Sequence, residues 1–534
     1  MKHLFLNAKW QAGLVIAGVA AGVAVVSCSS SEFGGGARER NPKLPGVEEP
    51  KQKLGCNPLP LPEVTLTPTK LFSFVPTGEN SEYKEFISTP VVGRLRKSDS
   101  APSIVAVGFK KSWIAREGTP ATCHYWLEDP GRLYAVNGKT GSLNWVGRSA
   151  NGVPLVFDAA ISPAIGDIDG DGNMEVFAME QKSEKIIALR SNGEFMWRSN
   201  DSAGSRVTIQ GNSWIHGISL ADLNNDGVAE LVTPGLVLDP KTGATKFQLQ
   251  RGQHVYPADT NRQGSLELVL STGVLDANGM QICSFSKRLY NVGIAKLKKD
   301  DNFLTVVGTS GEESDANTLL AYRGDDCRVV FDVRLGDKAG GPPNIADFDG
   351  KDDQGLEIGI AGKERYAVFD NSGRLLWSRQ TRDANSGVTG STSFDFNGDG
   401  KAEIVYNDEA ILRVFDGPTG KVLYELINAT ATAVEYPVIV DVDGNGTANI
   451  VAVSNDCTGG AVTSGINVFR EPKDQWMRTR PIWNQYGFNP LGVNDDGSVV
   501  GINKASIAQG AFLYEHLAGF RNNISYPPSG EQCK

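Results

Sequence analysis

Apolar residues in this chain fall into short runs bounded by Gly, Asn and Asp. Val176–Met179, Leu231–Val232, Ile404–Val405 and Ile450–Val453 each follow a polar, Asp-rich loop. Each is then followed by two further runs split by a Gly-containing turn. Leu133–Trp145, Ile187–Trp197, Val237–Gly243, Val274–Gly279, Leu320–Asp325, Tyr366–Trp377 and Val414–Gly420 have this form, and Ile466–Arg470 opens an eighth that leads to Trp476. Runs this short and this rich in β-branched residues predict strands rather than helices. Gly and Asn between paired runs relieve the backbone at positive φ, so the pairs predict hairpins.

The loop ahead of each strand repeats with the hairpin. Its first position falls at Arg94, Asp167, Asp222, Asp259, Lys296, Asp347, Asp395 and Asp441. Eight copies between about residues 91 and 485, spaced by roughly 40–50 residues on average, predict propeller blades. Such a unit cannot bury both faces of its sheet alone, so neighbours must stack and the ring must close. The expected fold is all-β, an eight-bladed β-propeller over residues 61–485, with seven blades as the alternative. Leu71–Val75 predicts a strand outside the repeat that helps close it. Residues 486–534 predict a C-terminal cap, with an irregular or helical segment over Ala505–Phe520 packed on the last blade. Trp145, Trp197 and Trp377 recur at one repeat position, which predicts packing between blades. Trp483 and the lone His216 read as structural residues.

The loop chemistry is that of a hard cation. Asp167, Asp169, Asp171 and Glu175 stand at positions one, three, five and nine, with Gly172 at six. Calcium favours six to eight oxygen ligands, and carboxylates at one, three and five of a tight loop can converge on one ion. Asp222, Asn224, Asp226 and Glu230 repeat the spacing, as do Asp395, Asn397, Asp399 and Glu403. Asp441, Asp443, Asn445 and Asn449 carry less charge and predict weaker binding. Asp347 and Asp349 start a further copy in which two extra residues leave the closing position open. An EF-hand would close at position twelve, where this chain already has an apolar strand.

These loops resemble the FG-GAP, or integrin alpha-subunit-like, repeat family, over about residues 90 to 485. The resemblance implies a propeller with Ca2+ held at the residues just named, in a structural role beneath a ligand surface. The Trp483–Gln485 and Asn494–Gly497 elements are similar to a C-terminal extension of bacterial members.

The remaining features bear on location. Lys2, His3 and Lys9 precede an apolar run, Ala12–Val26, that ends at Ser27 and Cys28. This reads as an export signal. Its ending resembles the lipobox of bacterial lipoproteins, implying a signal peptide over 1–27, lipidation of Cys28 and an outer-membrane address, with the propeller periplasmic or surface-exposed. Residues 28–60 are rich in Ser, Gly, Pro and charge and predict a tether. The six cysteines beyond Cys28 suit up to three disulfides in an exported chain, and none has zinc or redox spacing. A net charge of -10 disfavours non-specific nucleic-acid binding.

The function this predicts is a calcium-stabilised, membrane-anchored binding, adhesion or scaffold protein with a protein or polysaccharide partner. One alternative is a carbohydrate-active enzyme such as a polysaccharide lyase, although no carboxylate pair outside the loops suggests one. The other is an envelope-complex accessory, such as a β-barrel assembly subunit, because Asn137–Trp145 resembles hairpins of quinoprotein-type propellers. Calcium should raise the melting temperature, and Asp167→Ala should reduce that gain. Superimposable melting curves in calcium and in chelator, on verified metal-free protein, would sink the metal reading.

Overall fold

Eight antiparallel sheets, six of them built from four sequential runs of the chain, make up the described structure; the first has a fifth strand and the last is completed by a run distant in sequence. It is a computed structural model and describes residues 67–111, 130–203, 217–250, 254–311, 317–351, 354–384, 386–433, 435–457, 463–501 and 520–526. These lie in one unit, Pro58–Glu531; a second unit, Met1–Asn57 with Gln532–Lys534, lies outside the described residues. So do the expected signal peptide, Cys28, the whole tether, His216 and most of Ala505–Phe520.

The blades number eight, not seven. Each runs from an inner strand through two middle strands to an outer one. In blade two these are Ala164–Gly166, Glu175–Met179, Ile186–Leu189 and Phe195–Arg198. The sequence explains the layering. Middle strands are mostly apolar because both faces pack on neighbouring blades; Val176, Phe177, Ala178 and Met179 are all fully buried. Outer strands alternate, as Thr245–Gln248 does, because one face meets solvent.

The eighth blade differs from the sequence expectation. Trp476 does not end its outer strand. That strand is Thr69–Phe74, from the other end of the described chain, paired antiparallel with Gly465–Arg470. The expected closing strand therefore does close the ring, by completing the last blade.

Neighbouring blades join through one recurring device. The pairing of the third strand with the outer strand slips at the same place in all eight blades. The slip is a bulge, which re-aims the residue beside it. That residue is Trp145, Trp197, Phe247, Cys283, Phe331, Trp377, Tyr424 and Phe72 in blades one to eight. In six junctions it lies over the turn glycine of the next blade: Gly193, Gly243, Gly279, Gly373, Gly420 and, across the closure, Gly141. Gly420 shows why glycine is needed. Its φ is +64°, and a Cβ there would stand 2.3 Å from the Trp377 ring. The tryptophans also donate from Nε1 to carbonyls of the next blade, Ser191 at 2.9 Å, Pro240 at 3.1 Å and Gly417 at 2.8 Å.

Between blades four and five the device becomes covalent. Cys283 takes the aromatic position and Cys327 the turn-glycine position, with φ at 60°, and the two form a disulfide. Cys457 is disulfide-bonded as well.

The C-terminal segment does more than cap the last blade. It runs along the ring axis and touches the inner region of every blade. Val92 in blade one exchanges hydrogen bonds with Trp483, each 2.8 Å. Ile165 in blade two donates to the Asn484 carbonyl at 2.9 Å. Leu220 in blade three donates to Gln485 at 2.7 Å. Tyr256 in blade four lies edge-on to Phe520. The buried Arg521 guanidinium donates to Val292 in blade five at 3.0 Å and to Pro343, beside the inner strand of blade six, at 2.6 Å. Asn522 receives the Ser393 N–H of blade seven at 3.0 Å, and Asn523 donates to Ile439 of blade eight at 3.1 Å. Trp483 is fully buried and stacked on Phe488 at 4.7 Å, a packing anchor as its sequence context suggests.

The shared geometry makes the disulfide exchangeable for an aromatic–glycine pair. Cys283→Ala with Cys327→Ala should lower the melting temperature markedly, since closing a loop with sequence separation 44 contributes ~4 kcal/mol in the chain-entropy account. Cys283→Phe with Cys327→Gly should recover a large part of that loss and remove this bridge's share of the melt's sensitivity to reductant, leaving only that of the Cys457 disulfide. A swap variant no more stable than the double alanine would refute the equivalence.

Candidate metal centre

Each acidic loop joins the inner strand to the second strand, at the end of the blade that also carries the hairpin turns. The loop is held by its own first residue. Asp167 accepts the backbone N–H of Gly170 at 2.7 Å on one oxygen and of Gly172 at 2.9 Å on the other. Asp222 does the same for Asp226 and Gly227, Asp395 for Gly398 and Gly400, and Asp441 for Gly444 and Gly446. The ninth position ties the loop to its strand. Glu230, Glu357 and Glu403 accept the N–H of Leu223, Phe348 and Phe396 at 2.9, 2.7 and 2.9 Å. Asn449 accepts that of Val442 at 2.9 Å. The loops are thus shaped by backbone amides before any ion is considered.

Two loops bring three carboxylates together. In blade two, oxygens of Asp167, Asp169 and Glu175 lie within 4.8 Å of one another; in blade six, those of Asp347, Asp349 and Glu357 do. The position left open by the insertion in blade six is therefore filled by Glu357. Asp171 stands apart from the first cluster, its carboxylate accepting from Asn173 at 2.7 Å.

Blade two gives the clearest fit to a cation. Glu175 is only 5 % exposed. Burial raises its pKa to about 7, and the charges of Asp169, Asp171 and Asp167 push the same way against one hydrogen bond from Ile168. No ion pair to these four residues occurs among the described residues. Glu357 is raised to about 8, first by burial and then by Asp349 and Asp347. Anionic oxygens this crowded and this dry suit a hard divalent cation, and Asp167, Asp169 and Glu175 would hold it with Asp171 at the rim.

Blade six compensates in part, Lys351 pairing with Asp349 at 2.6 Å, and the remaining loops also compensate internally. In blade three, Lys246 from the outer strand reaches Glu230, which is 3 % exposed, and bonds its free oxygen. Asn224 turns its amide onto Asp226 at 2.9 Å. In blade seven, Asn397 donates to Glu403 at 3.0 Å and Lys401 lies 3.4 Å from Asp399. There burial raises Asp395 to about 6 and holds Glu403 well above the usual carboxylate range. In blade eight, Asn445 donates to Asp443 at 3.3 Å and to Asp474 at 3.1 Å, and Arg470 stands 4.0 Å from Asp443. Blade four, the weak copy, has Asn261 donating to Glu267 at 2.8 Å. Asparagine presents its nitrogen in blades four and seven, so coordination there would require the amide to turn.

Comparison with known proteins places the architecture. No protein-family model matches the chain, and no curated protein does. Among solved structures, the biofilm matrix protein Bap1 of V. cholerae superposes with a TM-score of 0.71 at 19% identity, over 86% of this chain and 99% of that one. The chain is an eight-bladed β-propeller. The propeller also aligns with rhamnogalacturonan lyase YesW, at TM-score 0.38 and 14% identity over 72% of this chain and 90% of that one. With BamB from Moraxella catarrhalis the values are 0.33 and 13%, over 71% and 85%. These last two likenesses are too distant to bear on function.

Lys246 is the site residue that sequence reading overlooked, although a signal was present. It occupies the bulged position beside the aromatic. The other seven blades place Leu71, Asn144, Met196, Ile282, Val330, Leu376 or Leu423 there. We expect Lys246→Met to destabilise metal-free protein by about 1–3 kcal/mol, because Glu230 loses its charged partner. Calcium should restore most of the loss, and titration calorimetry should count one more bound ion than in the parent. An unchanged ion count would show that Lys246 does not substitute for metal.

Proposed function

We propose that this propeller is a calcium-stabilised binding and scaffold protein of the bacterial cell envelope, exported and anchored through Cys28. One observation carries the reading: the axis of the ring is filled by the chain's own C-terminal segment. A propeller working on a small substrate would ordinarily use its central channel. Here the channel's inner strands are occupied by Arg480–Phe488 and Phe520–Asn523, leaving the loop faces and the rim as working surface. Broad surfaces on a rigid ring suit polymeric partners. Bap1, similar in architecture over nearly its whole length, is named as a biofilm matrix protein. Extended surface polysaccharide, or a protein of the matrix, is accordingly the partner class.

Calcium's role in this reading is structural. It would offset the crowded carboxylates of blades two and six and hold that end of each blade rigid.

Neither alternative gains an observation of its own. The buried acids outside the loops, Asp383 raised to about 7 and Glu435 to about 8, owe those shifts first to burial. They are enclosed and hydrogen-bonded to their own chain, Asp383 to Gly387 and Glu435 to Ala433.

The test is capture by the anchored, full-length protein in calcium. Purified extracellular polysaccharide and outer-membrane protein from the source bacterium would be offered separately. Retention of polysaccharide at unchanged molar mass, by light scattering, is the expected result. A falling molar mass would replace this reading with the lyase, and retention of β-barrel assembly components alone would replace it with the accessory subunit.

A further inference from the structure

We infer that the C-terminal segment is a cation-dependent latch, its seating in the axis coupled to ion binding in the acidic loops. The inference rests on the calcium reading above and extends it to a second part of the chain.

The geometry is a set of shared residues. Asp167 uses its carboxylate to shape the blade-two loop and its backbone N–H to donate to the Gly497 carbonyl at 2.9 Å. Asp441 does likewise in blade eight, where its N–H donates to the Arg480 carbonyl at 3.1 Å. That loop makes two more such bonds: Thr479 donates to Gly446 at 3.2 Å, and Ala448 to Met477 at 3.1 Å. In blade seven, Met477 donates to Phe396, the second loop residue, at 2.9 Å. In blade three, a Cβ on Gly501 would lie 1.8 Å from Asn225 and 3.4 Å from Asp222. The run 477–501 is therefore strung across the inner ends of four acidic loops.

Its own fold is tied at one point. Arg480, fully buried, bonds Asp495 at 2.6 Å and also the carbonyls of Pro490 and Val493. This places the turn bearing Gly497 directly against the blade-two loop. Gly497 has φ of +85°, and a Cβ there would meet Met174, beside Glu175, at 2.5 Å.

The coupling follows from who holds Asp167. Without an ion, Asp167, Asp169 and Glu175 repel one another, and opening the loop relieves this. Opening moves the Asp167 backbone and breaks its bond to Gly497. An ion draws the carboxylates together and fixes that N–H toward the segment. Coupling between two sites is reciprocal, so an unseated segment must weaken ion binding by the same factor.

Hydrogen exchange on full-length protein, with calcium and with chelator, tests the idea, while calorimetry measures ion binding separately. Amides in 477–501 should exchange about tenfold faster or more in chelator. Those of Thr305–Ser310 and Thr318–Arg323 in blade five, which lacks an acidic loop, should change little. Gly497→Ala should weaken calcium binding at least about fivefold. If that variant does not fold, the exchange comparison on the parent protein decides. Calcium binding with unchanged exchange in 477–501, or a loss spread equally into blade five, would overturn the latch alone. Absence of calcium binding would overturn both the latch and the reading on which it rests.

Discussion

Ring closure is the constraint on which the rest of this molecule depends. A four-stranded sheet of this size cannot bury both faces by itself, so each blade is stable only between two others. The chain answers with one contact repeated around the ring: a bulged outer strand turns a large side chain onto the next hairpin. The device tolerates variation in its chemistry but not in its place. Trp, Phe and cystine all serve, because each fills the gap left by a residue at positive φ. The eighth junction is met by Phe72 on a strand from the far end of the chain, which turns a row of blades into a circle.

Architecture was legible in the sequence because it is written in repeated local signals. The eight loop registers, the hairpin turns and the recurrent tryptophans each fix a strand or a junction, and all eight blades stand where they place them. The closing strand was visible as an apolar run outside the repeat. The destination of the C-terminal segment was not. Trp483, Arg480 and Arg521 carry no periodicity, and their partners are backbone groups of distant strands that leave no trace in composition. The outer strand of the last blade was misplaced for the same reason, since its partner lies some 400 residues away.

The candidate site was legible in part. Spacing alone picked out every loop, yet it could not separate the loop that gathers bare carboxylates, in blade two, from those that neutralise them internally. That difference lies in the third dimension. Lys246 approaches Glu230 from another strand, and Asn397 turns its nitrogen onto Glu403. Conversely, the insertion that obscured the blade-six loop proved harmless, because Glu357 still reaches Phe348. Backbone amides shape all of these loops, and an ion would hold closed the one whose carboxylates otherwise push it open.

The closing strand has a consequence in time. Thr69–Phe74 leaves the ribosome early, but its partner Gly465–Arg470 is made almost four hundred residues later. At typical synthesis rates of about 5–20 residues per second, the first strand waits roughly 20 seconds or more with an open edge. Contacts this remote in sequence also form slowly, since loop closure precedes any reward. A chain built this way cannot complete its ring until Gly465–Arg470 has been made.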